Sequence, residues 1–253
     1  MSLAFVLPVV RVTLNIYMSN SNKKKTAIVT GGSSGIGLAI VELFRQKGIT
    51  TISVSRHQYS SEHHIQCDVS DKKSVKVLIN KVIKDYQHID ILVNNAGISS
   101  EGDIKEISLN EWNEVMRINL TGTFLCSKYA LIHMQERKEG KIVNIASIAG
   151  RHRSVTASVA YTCSKYGIIG LTKQLALHYA KQNININCVC PSQTLTPMLI
   201  DNLPEERIKE LEDNVPAKRL AKPKEIAEAV YFLASDASSY IHGTCLDVNG
   251  GLL

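Results

Sequence analysis

A chain of 253 residues with 44% hydrophobic and 21% charged residues has an ordinary globular composition and can bury a full core within one domain. The net charge of +6, from 29 basic and 23 acidic residues, is spread along the chain, and no interleaving of basic and aromatic residues indicates nucleic-acid binding. The basic excess suits anionic ligands such as nucleotides or carrier-bound acyl groups, and a solvated basic surface explains it equally well.

The N-terminal segment differs in character from the rest of the chain. Leu3 to Val10 are mostly apolar, but this run is too short to span a bilayer. Lysines 23–25 follow it, whereas the basic residues of a signal peptide come first. Residues 1–24 are therefore interpreted as an extension, either disordered or reflecting an upstream start, since Met18 lies shortly before the first strand. Residues 25–253 are expected to form the folded domain.

A glycine-rich turn follows the first apolar run of this domain. It reads Thr30-Gly31-Gly32-Ser33-Ser34-Gly35-Ile36-Gly37 and opens a segment of helical periodicity. A strand, a glycine turn and a helix in this order surround an anion with backbone N–H groups, and the glycines let a pyrophosphate approach closely. Such a turn is weak evidence by itself, so its interpretation depends on the motifs that follow.

Strands and helices then alternate to the end of the chain. Further strands are predicted at Thr50–Ser55, Asp90–Val93, Lys141–Ile145, Ile184–Val189 and Cys245–Val248. Helices are predicted after the cap Ser70, after the capping box Ser108-x-x-Glu111 and through Asn119, over Ala157–Lys181, and from Pro223, with one short helical piece in the irregular stretch Pro191–Val215. The alternation predicts an α/β fold, a doubly wound Rossmann-type parallel sheet with helices on both faces in a single domain.

The cysteines indicate the compartment and bear on metal binding. None of the six forms a Cys-x-x-Cys pair, and they are scattered through apolar segments, which favours buried thiols in a reducing, cytoplasmic environment. Cys188 and Cys190 share one face of a predicted strand, but no matching histidine pair accompanies them. The sequence therefore predicts no metal site.

Several motifs occur together and in a fixed order. They are the glycine turn, Asp68, Asn94-Asn95-Ala96-Gly97, and the set Asn119, Ser147, Tyr161 and Lys165. From about Lys25 to Leu253 the chain thereby resembles the short-chain dehydrogenase/reductase family, in the compact branch that includes 3-oxoacyl-[acyl-carrier-protein] reductases. The resemblance implies a catalytic tetrad of Ser147, Tyr161, Lys165 and Asn119. It also implies a nicotinamide cofactor site that comprises Gly31, Ser33, Ser34, Gly35, Ile36, Gly37, Ser55, Arg56, Asp68, Val69, Asn95, Ala96, Gly97, Tyr161, Lys165, Pro191, Thr194 and Thr196.

The chemistry of the tetrad can also be read from the residues. Tyr161 and Lys165 are four residues apart on a predicted helix, so they share a face. A free phenol has a pKa of about 10, and a nearby ammonium favours the phenolate, as acid/base catalysis requires. Ser147 is expected to orient a substrate carbonyl, and Asn119 to support a water that relays protons to Lys165. The alternative is an ordinary amphipathic pair and a turn serine, and the complete tetrad argues against it.

The cofactor preference is predicted from the end of the second strand. Ser55 and Arg56 stand where NAD-binding sites usually carry an acid, and no acid occurs from Thr50 to Ser61. Arginine suits a 2′-phosphate through its charge and forked donors, so NADP is favoured over NAD. A solvated loop arginine is the alternative. After the predicted strand that ends at Val189, Ser192 replaces the glycine usual in the family, which puts the nicotinamide contact at Thr194 in doubt, while Thr196 keeps its spacing.

These features predict an NADP-dependent oxidoreductase that interconverts a ketone and a secondary alcohol. The stretches Asp247–Gly251 and Pro216–Leu220 resemble oxoacyl reductases most closely, and residues 194–215 resemble the substrate lid of the family or form a plain surface loop. A dehydrogenase of sugars, steroids or other small alcohols is the alternative enzyme. A non-catalytic nucleotide-binding scaffold or sensor is the alternative from another class.

Two further expectations concern partners. Relatives are commonly homotetramers, and Gly167 and Gly170 on the predicted helix permit close helix packing. Arg151 and Arg153 flank His152 near the predicted catalytic tyrosine and would suit a phosphate or carboxylate on the substrate. Otherwise this loop faces solvent or a neighbouring subunit. No nucleic acid and no membrane span is expected.

Overall fold

Seven parallel strands form one sheet in the computed structural model, which describes residues 24–58, 60–154, 157–201 and 203–253. Their spatial order is β3-β2-β1-β4-β5-β6-β7. The strands are β1 (Thr26–Thr30), β2 (Thr50–Ser55), β3 (His64–Gln66), β4 (Ile91–Asn94), β5 (Gly140–Ile145), β6 (Ile184–Pro191) and β7 (Cys245–Val248). The chain leaves β1 in one direction and returns to β4 on its other side, so a crevice opens at the carboxyl ends of these two strands, where ligands bind in such sheets.

Helices connect the strands and cover both faces of the sheet. They are α1 (Gly35–Gln46), α2 (Lys72–Tyr86), α3 (Leu109–Val115), α4 (Gly122–Arg137), α5 (Val159–Tyr179), α6 (Pro197–Ile200), α7 (Glu205–Asn214) and α8 (Pro223–Ala234). A widened π-helical turn, Met116–Thr121, joins α3 to α4. No helix within the described ranges has the length and apolar character needed to cross a membrane.

The hydrophobic core lies in two layers because successive side chains of a strand point to opposite faces. Ile28, Ile52 and Ile142 face the layer that contains residues of α2 and α4. Ala27, Val29 and Val143 face the layer that contains residues of α1 and α8. Full burial of a residue such as Ile28 stabilises the fold by about 1.5–3 kcal/mol. The predicted doubly wound α/β fold is confirmed.

The structure corrects the predicted cap of α2. The helix is capped by Asp71, whose carboxylate accepts a hydrogen bond of 2.8 Å from the Ser74 N–H. Ser70 does not cap it, because the Ser70 hydroxyl donates instead to Asp68 Oδ1 at 2.6 Å. Ser70 and Asp71 both carry a side-chain oxygen that can cap a helix, and Asp71 does so because it occupies the N-cap position directly before α2.

Three elements differ from the sequence-based expectation. The short strand β3 was not predicted, since three residues between polar loops give no periodic signal. The irregular stretch after β6 contains two helices, α6 and α7, where one short piece was expected. These helices rest on a small apolar cluster of their own, formed by Leu211, Val215 and Leu220. The predicted extension, residues 1–24, lies outside the described residues except for Lys24.

Candidate active site

The glycine turn between β1 and α1 forms a tight cradle. Gly31 and Gly35 adopt φ values of +65° and +53°, in the left-handed region that favours glycine. A Cβ at Gly37 would lie 2.0 Å from the Gly31 carbonyl oxygen, so a side chain does not fit there. The turn leads into a helix of 12 residues whose first N–H groups lack partners inside the helix. These features fit a pyrophosphate at the helix N-terminus.

The turn after β4 is tied to this cradle by hydrogen bonds. The Thr30 hydroxyl accepts from the N–H groups of Asn95 and Ala96, each at 3.0 Å. Asn95 Nδ2 donates to the carbonyl oxygens of Thr30 and Gly31 at 3.0 and 3.2 Å. Asn94 braces the strand itself, because its Nδ2 donates to Ser127 Oγ and to Asn144 Oδ1 at 3.0 and 2.8 Å. The two turns therefore form one wall of the crevice.

The predicted adenine contact, Asp68, is held as a carboxylate. Burial raises the pKa of Asp68, but hydrogen bonds from Ser70 and the charge of Arg117 outweigh that effect and lower the pKa below its ordinary value. Oδ1 accepts from the Ser70 N–H and hydroxyl, and Arg117 lies 3.5 Å from Oδ2. Asp68 therefore accepts hydrogen bonds at neutral pH.

The tetrad residues converge beyond the ends of β4 and β5. Lys165 Nζ donates to the Ile145 carbonyl oxygen at 2.9 Å and lies 5.4 Å from the centre of the Tyr161 ring. The Ser147 hydroxyl hydrogen-bonds to the Tyr161 hydroxyl. A Cβ at Gly97 would lie 3.2 Å from Asn119 Oδ1 and 3.8 Å from Lys165 Nζ, so these groups meet at the turn after β4.

Burial has the largest effect on the pKa values of Tyr161 and Lys165. It raises the pKa of Tyr161, an effect that the Ser147 hydrogen bond only partly offsets. Burial also lowers the pKa of Lys165 to about 8. The expected lowering of the Tyr161 pKa by Lys165 is therefore not met, because Lys165 Nζ donates to a carbonyl oxygen and lies over the face of the tyrosine ring.

Asn119 is clamped between the turn after β4 and helix α5. Its Nδ2 donates to the Ile98 carbonyl oxygen at 3.0 Å and to Ser164 Oγ at 3.1 Å, while its Oδ1 accepts from the Ile98 N–H at 2.9 Å. Both amide donors are thus used. The side chain lies in the π-helical turn, a distortion common at functional sites. The geometry gives Asn119 a positioning role beside the predicted water relay.

Two residues that position the tetrad were not predicted from the sequence. Ser158 caps α5 by accepting from the Tyr161 N–H at 3.2 Å, and its N–H donates to the Ser100 carbonyl oxygen at 2.8 Å. Ser164 donates to the Tyr161 carbonyl oxygen at 2.7 Å and receives the Asn119 amide. A serine three residues before Tyr161 is a helix-cap signal and would have identified Ser158. Ser164 has no comparable signal.

The remaining predicted cofactor residues lie around the crevice. Thr196 contacts the glycine turn, since a Cβ at Gly35 would lie 3.2 Å from Thr196 Cγ2. Thr194 is buried, and its hydroxyl donates to the Ser192 carbonyl oxygen at 3.0 Å. Ser192 does not take a positive φ, so no glycine is needed there. Pro191 ends β6, Ser33, Ser34 and Ile36 lie in the cradle and at the start of α1, and Val69 follows Asp68.

The second strand ends at Ser55, and Arg56 follows in an exposed loop. The Ser55 hydroxyl donates to the His57 carbonyl oxygen at 2.8 Å, and Gln66 Nε2 donates to the Arg56 carbonyl oxygen at 2.8 Å. These bonds fix the backbone at Arg56. Arg151, in contrast, forms a fork with Asp247, with Nε and Nη2 each 3.1 Å from a carboxylate oxygen. Of the two arginines expected to bind an anionic substrate, Arg151 is therefore occupied within the chain.

The fold and the site together define a nicotinamide-dependent oxidoreductase with a tyrosine–lysine pair. The profile of a family described as Enoyl-(Acyl carrier protein) reductase matches residues 31–253. The chain belongs to the short-chain dehydrogenase/reductase family. It acts on CH–OH and keto groups, and the cofactor of its family is NAD or NADP.

Two curated relatives illustrate the match. The chain is 36% identical over 247 residues to cis-4-hydroxycyclohexanecarboxylate dehydrogenase of Sinomonas cyclohexanicum, covering 92% of this chain and 98% of the relative. It is 37% identical over 238 residues to 3-oxoacyl-[acyl-carrier-protein] reductase of Haemophilus influenzae, covering 90% and 98%.

Two solved structures agree with this assignment. Ligand-free aldohexose dehydrogenase of Thermoplasma acidophilum has a TM-score of 0.85 at 41% identity, covering 91% of this chain and 94% of its own. A variant of actinorhodin polyketide ketoreductase, solved with NADPH, has a TM-score of 0.84 at 33% identity, covering 90% and 97%.

Proposed function

We propose that this oxidoreductase uses NADPH to reduce a ketone to a secondary alcohol, with a 3-oxoacyl group on a carrier as its substrate. The observation that carries the proposal is the convergence of Ser147, Tyr161, Lys165 and Asn119 beside a glycine cradle. Hydride transfer needs a proton donor for the developing alkoxide and a group that orients the carbonyl. Tyr161 and Ser147 supply these functions from the ends of α5 and β5.

Each residue of the tetrad then has a separate task. The bound nicotinamide supplies or accepts the hydride. The Ser147 hydroxyl orients the carbonyl oxygen, and Tyr161, protonated because burial raises its pKa, donates the proton that neutralises the alkoxide. Lys165 holds the cofactor ribose and passes a proton back to Tyr161. Asn119 keeps the turn after β4 against α5, so that the cradle and the tyrosine stay in register.

Arg56 supports the preference for NADP. It follows β2 directly, its backbone is fixed by Gln66, and its side chain is exposed at the edge of the crevice. A guanidinium there neutralises a 2′-phosphate and donates to it with two N–H groups. The polyketide ketoreductase that resembles this chain was solved with NADPH, which agrees with this preference. NAD remains the alternative cofactor.

The lid proposed at residues 194–215 favours an acyl substrate. Its helices α6 and α7 rest on a separate apolar cluster, and α6 presents Ile200 to solvent beside the crevice. The exposed apolar side chains of α6, Met198 and Ile200, suit an acyl chain better than a sugar, whose hydroxyls need polar partners. The similarity to an aldohexose dehydrogenase keeps sugar oxidation as the alternative.

A homotetramer is proposed from the outer surfaces of α4 and α5. Phe124 and Ile132 on α4, and Tyr166 and Leu177 on α5, are exposed apolar side chains. Gly170 lies among them with open space around its Cβ position, so a second helix can approach closely there. A second copy of this chain would cover such a surface.

The free cysteines of the described chain agree with the proposed cytoplasmic location.

One experiment tests the activity. A 3-oxoacyl thioester, an aldohexose and a steroid ketone or alcohol are assayed with each of the two nicotinamide cofactors by the absorbance of the reduced form. We expect kcat/KM for the thioester with NADPH to exceed every other combination at least tenfold. A preference for the aldohexose would contradict the substrate assignment. A preference for NADH would contradict the cofactor assignment.

A further inference from the structure

Three thiols meet on the face of the sheet that packs against α5, the helix that carries Tyr161 and Lys165. Cys188 and Cys190 lie two residues apart on β6 and therefore share a face, and Cys245 on β7 lies opposite Cys188 in the strand register. The Sγ atoms of Cys188 and Cys190 are 3.9 Å apart, and all three Sγ atoms lie within 4.8 Å of one another. Within the described ranges, no other three His, Cys, Asp or Glu side chains cluster this closely.

We propose that Cys188, Cys190 and Cys245 bind one thiophilic d¹⁰ cation, with Zn²⁺ as the reference ion. Tetrahedral zinc with Zn–S bonds of about 2.3 Å places its sulfurs roughly 3.8 Å apart. The Cys188–Cys190 separation of 3.9 Å already fits this geometry. The third thiol has to move by at most about 1 Å, which a rotation of one side chain on an edge strand provides.

The surroundings of the cluster suit such an ion. Cys188 and Cys190 are fully buried, but Cys245 is partly exposed on β7, the last strand of the sheet, so an ion can enter from that edge. Thiolates are soft ligands that select zinc and copper(I) over magnesium and calcium. Each thiol loses its proton to solvent as its sulfur–metal bond forms. Water fills the fourth position.

Charge balance also supports a cation here. Three thiolates and Zn²⁺ carry a net charge of about −1. Arg151 and Lys173 lie close enough to Cys245 for their positive charges to act on it. Asp247, which pairs with Arg151, adds one negative charge that acts on Cys190, so the two cations balance this carboxylate and the remaining charge of the metal site. Cys188 and Cys190 pack against Ile168 and Ile169 of α5, so a bound ion would join β6 to β7 beneath this helix and stabilise the folded chain.

Packing alone is the competing explanation for these cysteines. A buried cysteine behaves as a small hydrophobic residue, and all three contact an apolar cluster. Packing does not require the thiols to converge, however, and it predicts no binding of metal. The two explanations therefore differ in a measurable quantity.

The test uses the full chain, reduced, stripped of metal and kept free of oxygen. Co²⁺ is titrated first, because tetrahedral thiolate coordination gives characteristic visible absorption, and Zn²⁺ then displaces it in competition with a chromophoric chelator. We expect one ion per chain and a higher melting temperature. Cys245→Ser should weaken binding at least 100-fold, whereas Cys163→Ser, which removes an exposed thiol of α5, should not change it.

Three results would overturn the proposal. They are the absence of stoichiometric binding, unchanged affinity in Cys245→Ser, or an equal loss in Cys163→Ser. Cys245→Ala serves as a second variant, and both Cys245 variants must keep the wild-type circular dichroism spectrum. Because the readouts are absorption and affinity, the outcome does not depend on the proposed enzymatic activity.

Discussion

Replacing Gly37 by alanine tests whether the glycine cradle is as tightly built as its geometry implies. The new Cβ would lie 2.0 Å from the Gly31 carbonyl oxygen and 2.5 Å from Asn95 Nδ2, whereas ordinary contact begins at 3.4 Å. The shortfall of 3.4 − 2.0 = 1.4 Å falls on backbone, which cannot rotate away. The turn must therefore open.

The cost follows from what the opening disrupts. Asn95 Nδ2 loses two hydrogen bonds, to the carbonyl oxygens of Thr30 and Gly31, each with a net value of about 0.5–1.5 kcal/mol. Overpacking destabilises the fold further by about 1–3 kcal/mol. The better helix propensity of alanine stabilises it by up to about 1 kcal/mol. We expect the free energy of unfolding to fall by about 1–6 kcal/mol and cofactor affinity to fall at least tenfold.

Denaturant unfolding at a fixed protein concentration and a titration with NADPH measure the two effects. Glu42→Ala is the control, because Glu42 is exposed on α1, the same helix that contains Gly37. It should be neutral or stabilising by up to about 1 kcal/mol. A Gly37→Ala chain within about 1 kcal/mol of the wild type and with unchanged affinity would refute this reasoning.

Four further predictions concern the tetrad, the cofactor and one helix cap. Tyr161→Phe should lower kcat by about 10²- to 10⁴-fold and leave NADPH affinity within threefold, because only the proton donor is lost. The control Tyr166→Phe removes an exposed hydroxyl that donates to the His152 carbonyl oxygen and should keep full activity. Retained turnover in Tyr161→Phe would contradict the mechanism. Arg56→Ala should weaken NADPH binding at least tenfold and NADH binding little in fluorescence titrations, whereas equal losses would remove Arg56 from cofactor selection. Because the pKa of Lys165 is lowered to about 8, its ammonium loses a proton as pH rises through that value. The kcat/KM for reduction should therefore fall above about pH 8. A pH profile that stays flat up to the ordinary lysine pKa would contradict this assignment. Asp71→Ala should lower the free energy of unfolding by about 0.5–2 kcal/mol through loss of the α2 cap, measured by denaturant, and a smaller effect than that of Ser70→Ala would contradict the observed cap.

The sequence by itself determined the fold class and the grouping of the candidate site. Alternating strand and helix patterns, the glycine turn and the four-residue spacing of Tyr161 and Lys165 are short-range features, which local periodicity and backbone geometry specify. Each site motif follows a strand or begins a helix, and parallel strands bring their carboxyl ends to one edge. The fold is therefore confirmed from local signals, while the roles of the individual residues stay predictions.

Only the tertiary structure decided which distant side chains meet. Cys245 lies opposite Cys188 because β7 pairs with β6 in the register that aligns these two residues. No local pattern around Cys188 predicts a partner so far along the chain. Arg151, expected near the substrate, is bound to Asp247 on β7. Burial, which no sequence pattern measures, reversed the expected direction of the Tyr161 pKa. Strand register and depth of burial arise from long-range packing, so they appear only when the chain is folded.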